Sequence, residues 1–173
     1  MSRYRRYYLE GYSYVFITMV TFNRSSILIE NIDVLRDAFR KTKQKFDFEI
    51  VAICILHDHV HMIIRENELK NFSKIVGSIK KYFSYNVNLR KNKLTESMQK
   101  RKESGIWQRR FYDHIIRNDL DFEKHLDYIH YNSFKHYNIS PKKWMYSTFE
   151  KFVKLGFYNE NWCEYKFDDS DWE

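Results

Sequence analysis

The 173 residues suffice for one compact domain, and 14 Phe, 14 Tyr and 4 Trp supply the apolar material of a packed core, which excludes extended disorder. Cys54 and Cys163 stand far apart with no CxxC, against a disulfide framework or a thiolate zinc cage, and no apolar run nears the roughly 20 residues of a membrane span. The formal charge of +7 is uneven: Glu160, Glu164, Asp168, Asp169, Asp171 and Glu173 against Lys166 give residues 159–173 a net of −5, leaving +12 on residues 1–158.

A body that basic, with aromatics threaded through its charge, suits a polyphosphate partner. The start MSRYRRYYLEG lacks the apolar stretch of a signal peptide, so a cytoplasmic location is expected. The reading in one piece is a single domain over 1–158 followed by an acidic tail over 159–173. That tail is either a solubilising end or a competitor with the polyphosphate partner for the basic surface.

In chain order, SYVFITMVTF (13–22) mixes β-branched and aromatic residues and predicts a strand. IDVLRDAFRKTKQKF (32–46) places Val34, Leu35, Ala38 and Phe39 at helical spacing, with Asn31 positioned to cap. FEIVAICIL (48–56) and HVHMIIR (59–65) predict a hairpin with His57 and Asp58 in the turn. KNFSKIVGSIKKYFSYNV (70–87) is an amphipathic helix, 88–104 a basic surface excursion, GIWQRRFYDHIIR (105–117) a strand, and 118–136 a helix capped by Asn118 or Asp119. The order β-α-β-β-α-β-α predicts an α+β fold, a ferredoxin-like antiparallel sheet with helices packed on one face.

Side chains alternate along a strand, so His59 and His61 share a face while Val60 and Met62 take the other. Two such histidines are either half-exposed hydrogen-bonding residues or part of a divalent-metal site that needs a further ligand. The last helix offers one. At about 100° per residue from His125, Asp121 falls near −40°, Tyr128 near −60° and Asn132 near −20°, beside an apolar stripe of Phe122, Leu126, Ile129 and Ser133. Tyr131 falls near −120° on this wheel, towards solvent, which favours Tyr128 as the tyrosine held against the sheet.

His59-Val60-His61 after an apolar strand resembles the His-hydrophobe-His (HUH) motif of single-tyrosine transposases and relaxases. WQRRFYDHIIRNDLDFEKHLDYIHYN (107–132) and the opening SRYRRYYLEG resemble the corresponding blocks of the REP-associated tyrosine transposases, within the IS200-like group. The resemblance spans about residues 3 to 150 and implies His59, His61 and Asn132 as ligands of Mg²⁺ or Mn²⁺ and Tyr128 as nucleophile. Members commonly have Pro-Asn before the HUH histidines and Pro after the helix asparagine, where this chain has His57-Asp58 and Ser133. The implied partner is single-stranded or hairpin DNA, bound by a monomer or homodimer. Arg3, Arg5 and Arg6 are candidates for the palindrome and guide end of the DNA, Trp107, Arg109, Arg110 and Tyr112 for stacking and phosphate contacts, and Lys80, Lys81, Arg90, Lys91 and Lys93 for grip on the backbone.

Overall fold

The computed structural model of the protein describes residues 12–67, 71–88, 94–101 and 103–163. β1 (Ser13–Val20) is the strand expected from its β-branched and aromatic residues. β2 (Glu49–Ile55) and β3 (His59–Glu66) form the hairpin, closed by the Leu56 N–H donating to the His59 carbonyl at 2.8 Å. β4 (Tyr112–Ile115) pairs with the free edge of β1, so the strand order is β2-β3-β1-β4 and every neighbour is antiparallel. With a helix following β1 and another following β3, this is the ferredoxin-like plan.

Helices α1 (Ile32–Lys43) and α2 (Phe72–Asn86) cover one face, packing Leu35, Ala38, Ile75 and Ile79 on Val15, Ile17, Val60 and Met62. A short α3 (Glu96–Lys100), capped by Thr95, lies within the expected basic excursion. Helices α4 (Asp119–Tyr137) and α5 (Phe149–Lys154) cover the opposite face with Phe122, Leu126, Phe149 and Phe152 on Tyr14, Phe16 and Ile63. The expectation of helices on one face is therefore corrected. β1 and β3 bury side chains of both parities, and a single layer of helices leaves Phe16 and Ile63 in water.

The expected strand over 105–117 shortens to four residues for a local reason. Gly105 takes φ 70, Trp107 turns into the core against Phe83 with ring centroids 5.4 Å apart, and only a single bridge joins Trp107 to Thr21. At the start of α4, Asn118 is the cap, its side-chain oxygen accepting from the Asp121 N–H at 2.9 Å. Asn31 occupies the cap position of α1 but does not cap; its amide donates instead to the Ile27 carbonyl at 2.8 Å. Ser133 leaves α4 free to run on to Tyr137, where Asn138 closes it at φ 53, a left-handed conformation that asparagine tolerates.

α4 is tied to the C-terminal segment through His130, which is buried. Its Nδ1 lies 3.3 Å from the Tyr158 hydroxyl and its Nε2 3.0 Å from Thr148 Oγ1, while Tyr158 donates to Asp127 at 2.7 Å. Burial pushes the imidazole down to about 3. The unfolded chain therefore takes up this proton first on acidification, so stability is whole above about pH 6.5 and falls by about 1.4 kcal/mol per unit below it. Urea unfolding at pH 7 and pH 5 is expected to show His130→Gln with a pH dependence about 2 kcal/mol smaller than that of the parent chain.

Candidate active site

The hairpin and α4 meet over a cavity of about 300 Å³ whose walls include Phe16, Thr18, Arg24, His59, His61, Tyr112, Tyr128, Lys135 and His136. β1 and β3 pair Thr18 with His61 and Val20 with His59, which puts both imidazoles on the α4 side of the sheet. Their rings lie 4.8 Å apart, and the Tyr128 ring stands edge-on to His61 at 4.9 Å. The strand histidines and the helix tyrosine expected to converge are thus brought together within one chain.

Each histidine is held through its Nδ1. His59 donates to Asp58 Oδ1 at 2.6 Å, and His61 Nδ1 lies 2.8 Å from Thr18 Oγ1, so the Nε2 edges are left for the cavity. Both are buried rather than half-exposed. Burial, joined by the charges of His59, His136 and Lys135, drives His61 well below the ordinary imidazole value. Burial also lowers His59, outweighing the opposing effect of Asp58. Burial works against ionisation of Asp58, but the hydrogen bond and charge of His59 and the Arg24 guanidinium at 3.4 Å hold it below the usual carboxylate range. At neutral pH the pair is therefore neutral, the state in which imidazole nitrogen can ligate a metal.

Asn132 lies one turn beyond Tyr128 and one turn before His136, whose ring is 4.9 Å from that of His59. Its amide donates to the Tyr128 carbonyl at 2.6 Å, which assigns Oδ1 as the other atom, and that oxygen is buried with no hydrogen-bond partner among the described residues. His61 Nε2 is in the same condition. An orphaned buried polar atom costs about 1–3 kcal/mol; His61 lines the cavity and Asn132 lies on α4 between the cavity residues Tyr128 and His136, and a nitrogen and an oxygen of this kind are donor types that a divalent cation takes.

Other expected residues separate into two groups. Trp107 is only 6% exposed and belongs to the core, so it is no stacking platform for a nucleic-acid base. Lys80 lines the same groove as Lys81 and Arg109, and its ammonium donates to the Gln108 and Arg109 carbonyls at 2.7 and 3.3 Å, which pins the segment before β4. Lys81 and Arg109 line a groove of about 470 Å³ with Tyr85, which is 88% exposed, and Arg110 is exposed beside them. The Gln108 N–H donates to the Val20 carbonyl at 2.9 Å, which ties the groove segment to the end of β1. Arg3, Arg5, Arg6, Arg90, Lys91, Lys93 and the acidic stretch 164–173 lie outside the described residues. Tyr131 is half-buried against Phe134 rather than open to solvent.

Asp58, Thr18 and His136 escaped the reading of the sequence. Extending the helical wheel puts His136 about 20° from His125, on the stripe of Tyr128 and Asn132, and that signal was available. Thr18 left no signal, because its role depends on strand register.

The model of the family described as IS200-like transposase matches residues 10–132. The chain is 40% identical over 165 residues to a Haemophilus influenzae protein provisionally named as a REP-associated tyrosine transposase, covering 94% of this chain and 93% of that one. It is 35% identical over 166 residues to the REP-associated tyrosine transposase of Escherichia coli K12, covering 94% and 92%. A solved structure of a REP-associated tyrosine transposase bound to a REP hairpin matches with a TM-score of 0.72 at 34% identity, over 97% of this chain and 94% of that one.

Proposed function

Since this chain belongs to the IS200-like transposase family, with REP-associated tyrosine transposases among its relatives, we propose that it cleaves and rejoins single-stranded DNA beside hairpins through a covalent phosphotyrosine at Tyr128. The observation that carries this reading is the Tyr128 ring at 4.9 Å from His61, in a cavity shared with His59. In the cleavage step the Tyr128 oxygen bonds to the phosphorus and gives up its proton, while the bond from phosphorus to the 3′ oxygen breaks and that oxygen leaves as a hydroxyl. The phosphodiester energy is kept in the tyrosyl ester, so a 3′ hydroxyl reverses the step without ATP.

A phenol with a pKa of about 10 is a weak nucleophile at neutral pH, and the approach to a phosphate has to be helped. Arg24 and Lys135 at the cavity wall supply positive charge for the incoming phosphate, and Lys135 Nζ lies 5.6 Å from the centre of the Tyr128 ring. Asp58 and Thr18 fix the two imidazoles so that their Nε2 edges stay on the cavity side. His59, His61 and Asn132 would hold Mg²⁺ or Mn²⁺, which when bound polarises the phosphate and orients it for in-line attack. All of these groups come from a single chain, which supports action by one copy.

The test is to incubate the protein with Mn²⁺ and an oligonucleotide carrying a hairpin and a single-stranded flank, then separate the products under denaturing conditions. A protein–DNA adduct together with a free 3′-hydroxyl fragment is the expected result; binding without cleavage would sink the proposal.

Lys81 in the groove and Arg110, next in sequence after Arg109, carry a second prediction. Each of Lys81→Ala and Arg110→Ala is expected to lower the salt dependence of hairpin affinity by roughly one phosphate contact, a change of about 0.7–0.9 in the slope of log K against log salt. Lys80→Ala is expected instead to lower stability by about 1 kcal/mol, through loss of its bonds to the 108–109 carbonyls. Affinity measured across a salt series, with urea unfolding alongside, separates the two effects.

A further inference from the structure

A second group of ligand-type side chains lies one turn above Tyr128 on α4 and takes no part in the chemistry described so far. His114 on β4 and Asp121 and His125 on α4 each offer one ligand atom, and these atoms lie within 4.8 Å of one another. The two imidazoles stack nearly parallel, with centroids 4.6 Å apart and planes 14° from each other, and both turn an edge to the same carboxylate. His114 Nε2–H donates to Asp121 at 2.9 Å, and His125 Nδ1 lies 3.0 Å from Asp121 Oδ1 and 2.8 Å from the Asp121 carbonyl. The Arg117 N–H donates to the same carboxylate at 2.9 Å.

The group is separate from the HUH pair, because the Phe16 ring stands between them, 4.7 Å from His125 and 5.8 Å from both His61 and Tyr128. We propose that His114, Asp121 and His125 form a second divalent-cation site, a two-histidine, one-carboxylate set suited to Mn²⁺, Co²⁺ or Zn²⁺ rather than Mg²⁺.

Three observations support it beyond the ligand types. The donors come from two different elements, so a cation there clamps the short edge strand β4 onto α4. The His125 side chain is buried, whereas those of His114 and Asp121 are 25% and 18% exposed, which gives an ion a path in and leaves positions open to solvent. Asp121 is held below the usual carboxylate range: burial opposes ionisation, but the hydrogen bonds from His114 and the Arg117 N–H outweigh it. The anion therefore persists at neutral pH.

The experiment is a Co²⁺ titration of the full chain after stripping with chelator, followed by visible absorption and calorimetry, with circular dichroism to check that each variant is folded. The parent chain is expected to bind two equivalents, the His59→Ala/His61→Ala variant one, and His114→Gln one. Asp121→Asn keeps the main-chain cap to Asn118 and provides a second variant of the new site; it too is expected to lose one equivalent. If His114→Gln and Asp121→Asn titrate like the parent, the cluster is a hydrogen-bonded network alone and the proposal is overturned. An equivalent retained by the His59→Ala/His61→Ala variant and lost in His114→Gln supports the second site even if the HUH cavity takes no metal.

Discussion

Tyr128→Phe is expected to abolish the covalent protein–DNA adduct and to lower strand cleavage by about 10³-fold or more, the scale on which losing a covalent nucleophile acts. The ring stays, so the edge-on contact with His61 and the packing on Phe16 survive. Removing one hydroxyl at the wall of an open cavity changes hairpin affinity by about twofold at most. The loss therefore falls on chemistry and not on binding. The measurement is a denaturing gel with end-labelled hairpin DNA beside a binding titration of the same preparation. Its outcomes distinguish three proteins of this fold. Cleavage that survives in the phenylalanine variant identifies a phosphodiesterase that activates water. Binding with no cleavage in the parent identifies a chain retained only to hold hairpins. Adduct formed by the parent and absent from the variant identifies the tyrosine mechanism. Tyr131→Phe serves as the control, because that ring packs against Phe134 and is not among the residues lining the cavity.

Period-2 and period-3.6 patterning made most of the fold legible in advance, because those periods report directly which side chains leave water. The α4 stripe of Phe122, Leu126, Ile129 and Ser133 is buried as the helical wheel implies, and the parity of His59 and His61 predicted their shared face. What escaped was whatever depends on neighbours distant in sequence. A second helical layer follows from apolar residues on both faces of β1 and β3, yet a continuous apolar run does not say how many layers will cover it. The burial of Trp107 and the commitment of Lys80 to two carbonyls arise where 105–111 crosses α2 and the end of β1, and nothing in their local sequence distinguishes them from Arg109 or Lys81. In the site, ligand types were legible. The groups that orient them were not, because Asp58 and Thr18 act through the hairpin turn and through strand register.

Asn132→Leu is expected to make the metal-free protein more stable while impairing it as an enzyme. The asparagine is fully buried, its Oδ1 has no hydrogen-bond partner among the described residues, and its amide bonds only to a helix carbonyl one turn back. Leucine has nearly the same volume, removes the orphaned acceptor and is the better helix former, by about 0.5 kcal/mol. The net gain is expected at about 1 kcal/mol, a rise of roughly 2–4 °C in Tm for a chain of this size. A residue kept at that expense has to act in a state other than the metal-free fold. If that state is the cation-bound site, Mn²⁺ affinity falls by about 10-fold or more in the variant, and cleavage at limiting Mn²⁺ falls with it. Calorimetric unfolding with and without Mn²⁺ reads both effects in one pair of scans: the variant begins higher and gains less from the ion. A variant that melts lower than the parent and keeps the full Mn²⁺ shift would make Asn132 a packing residue, and the third ligand would then have to be sought elsewhere along the α4 stripe, the imidazole nitrogen of His136 being the next donor on it.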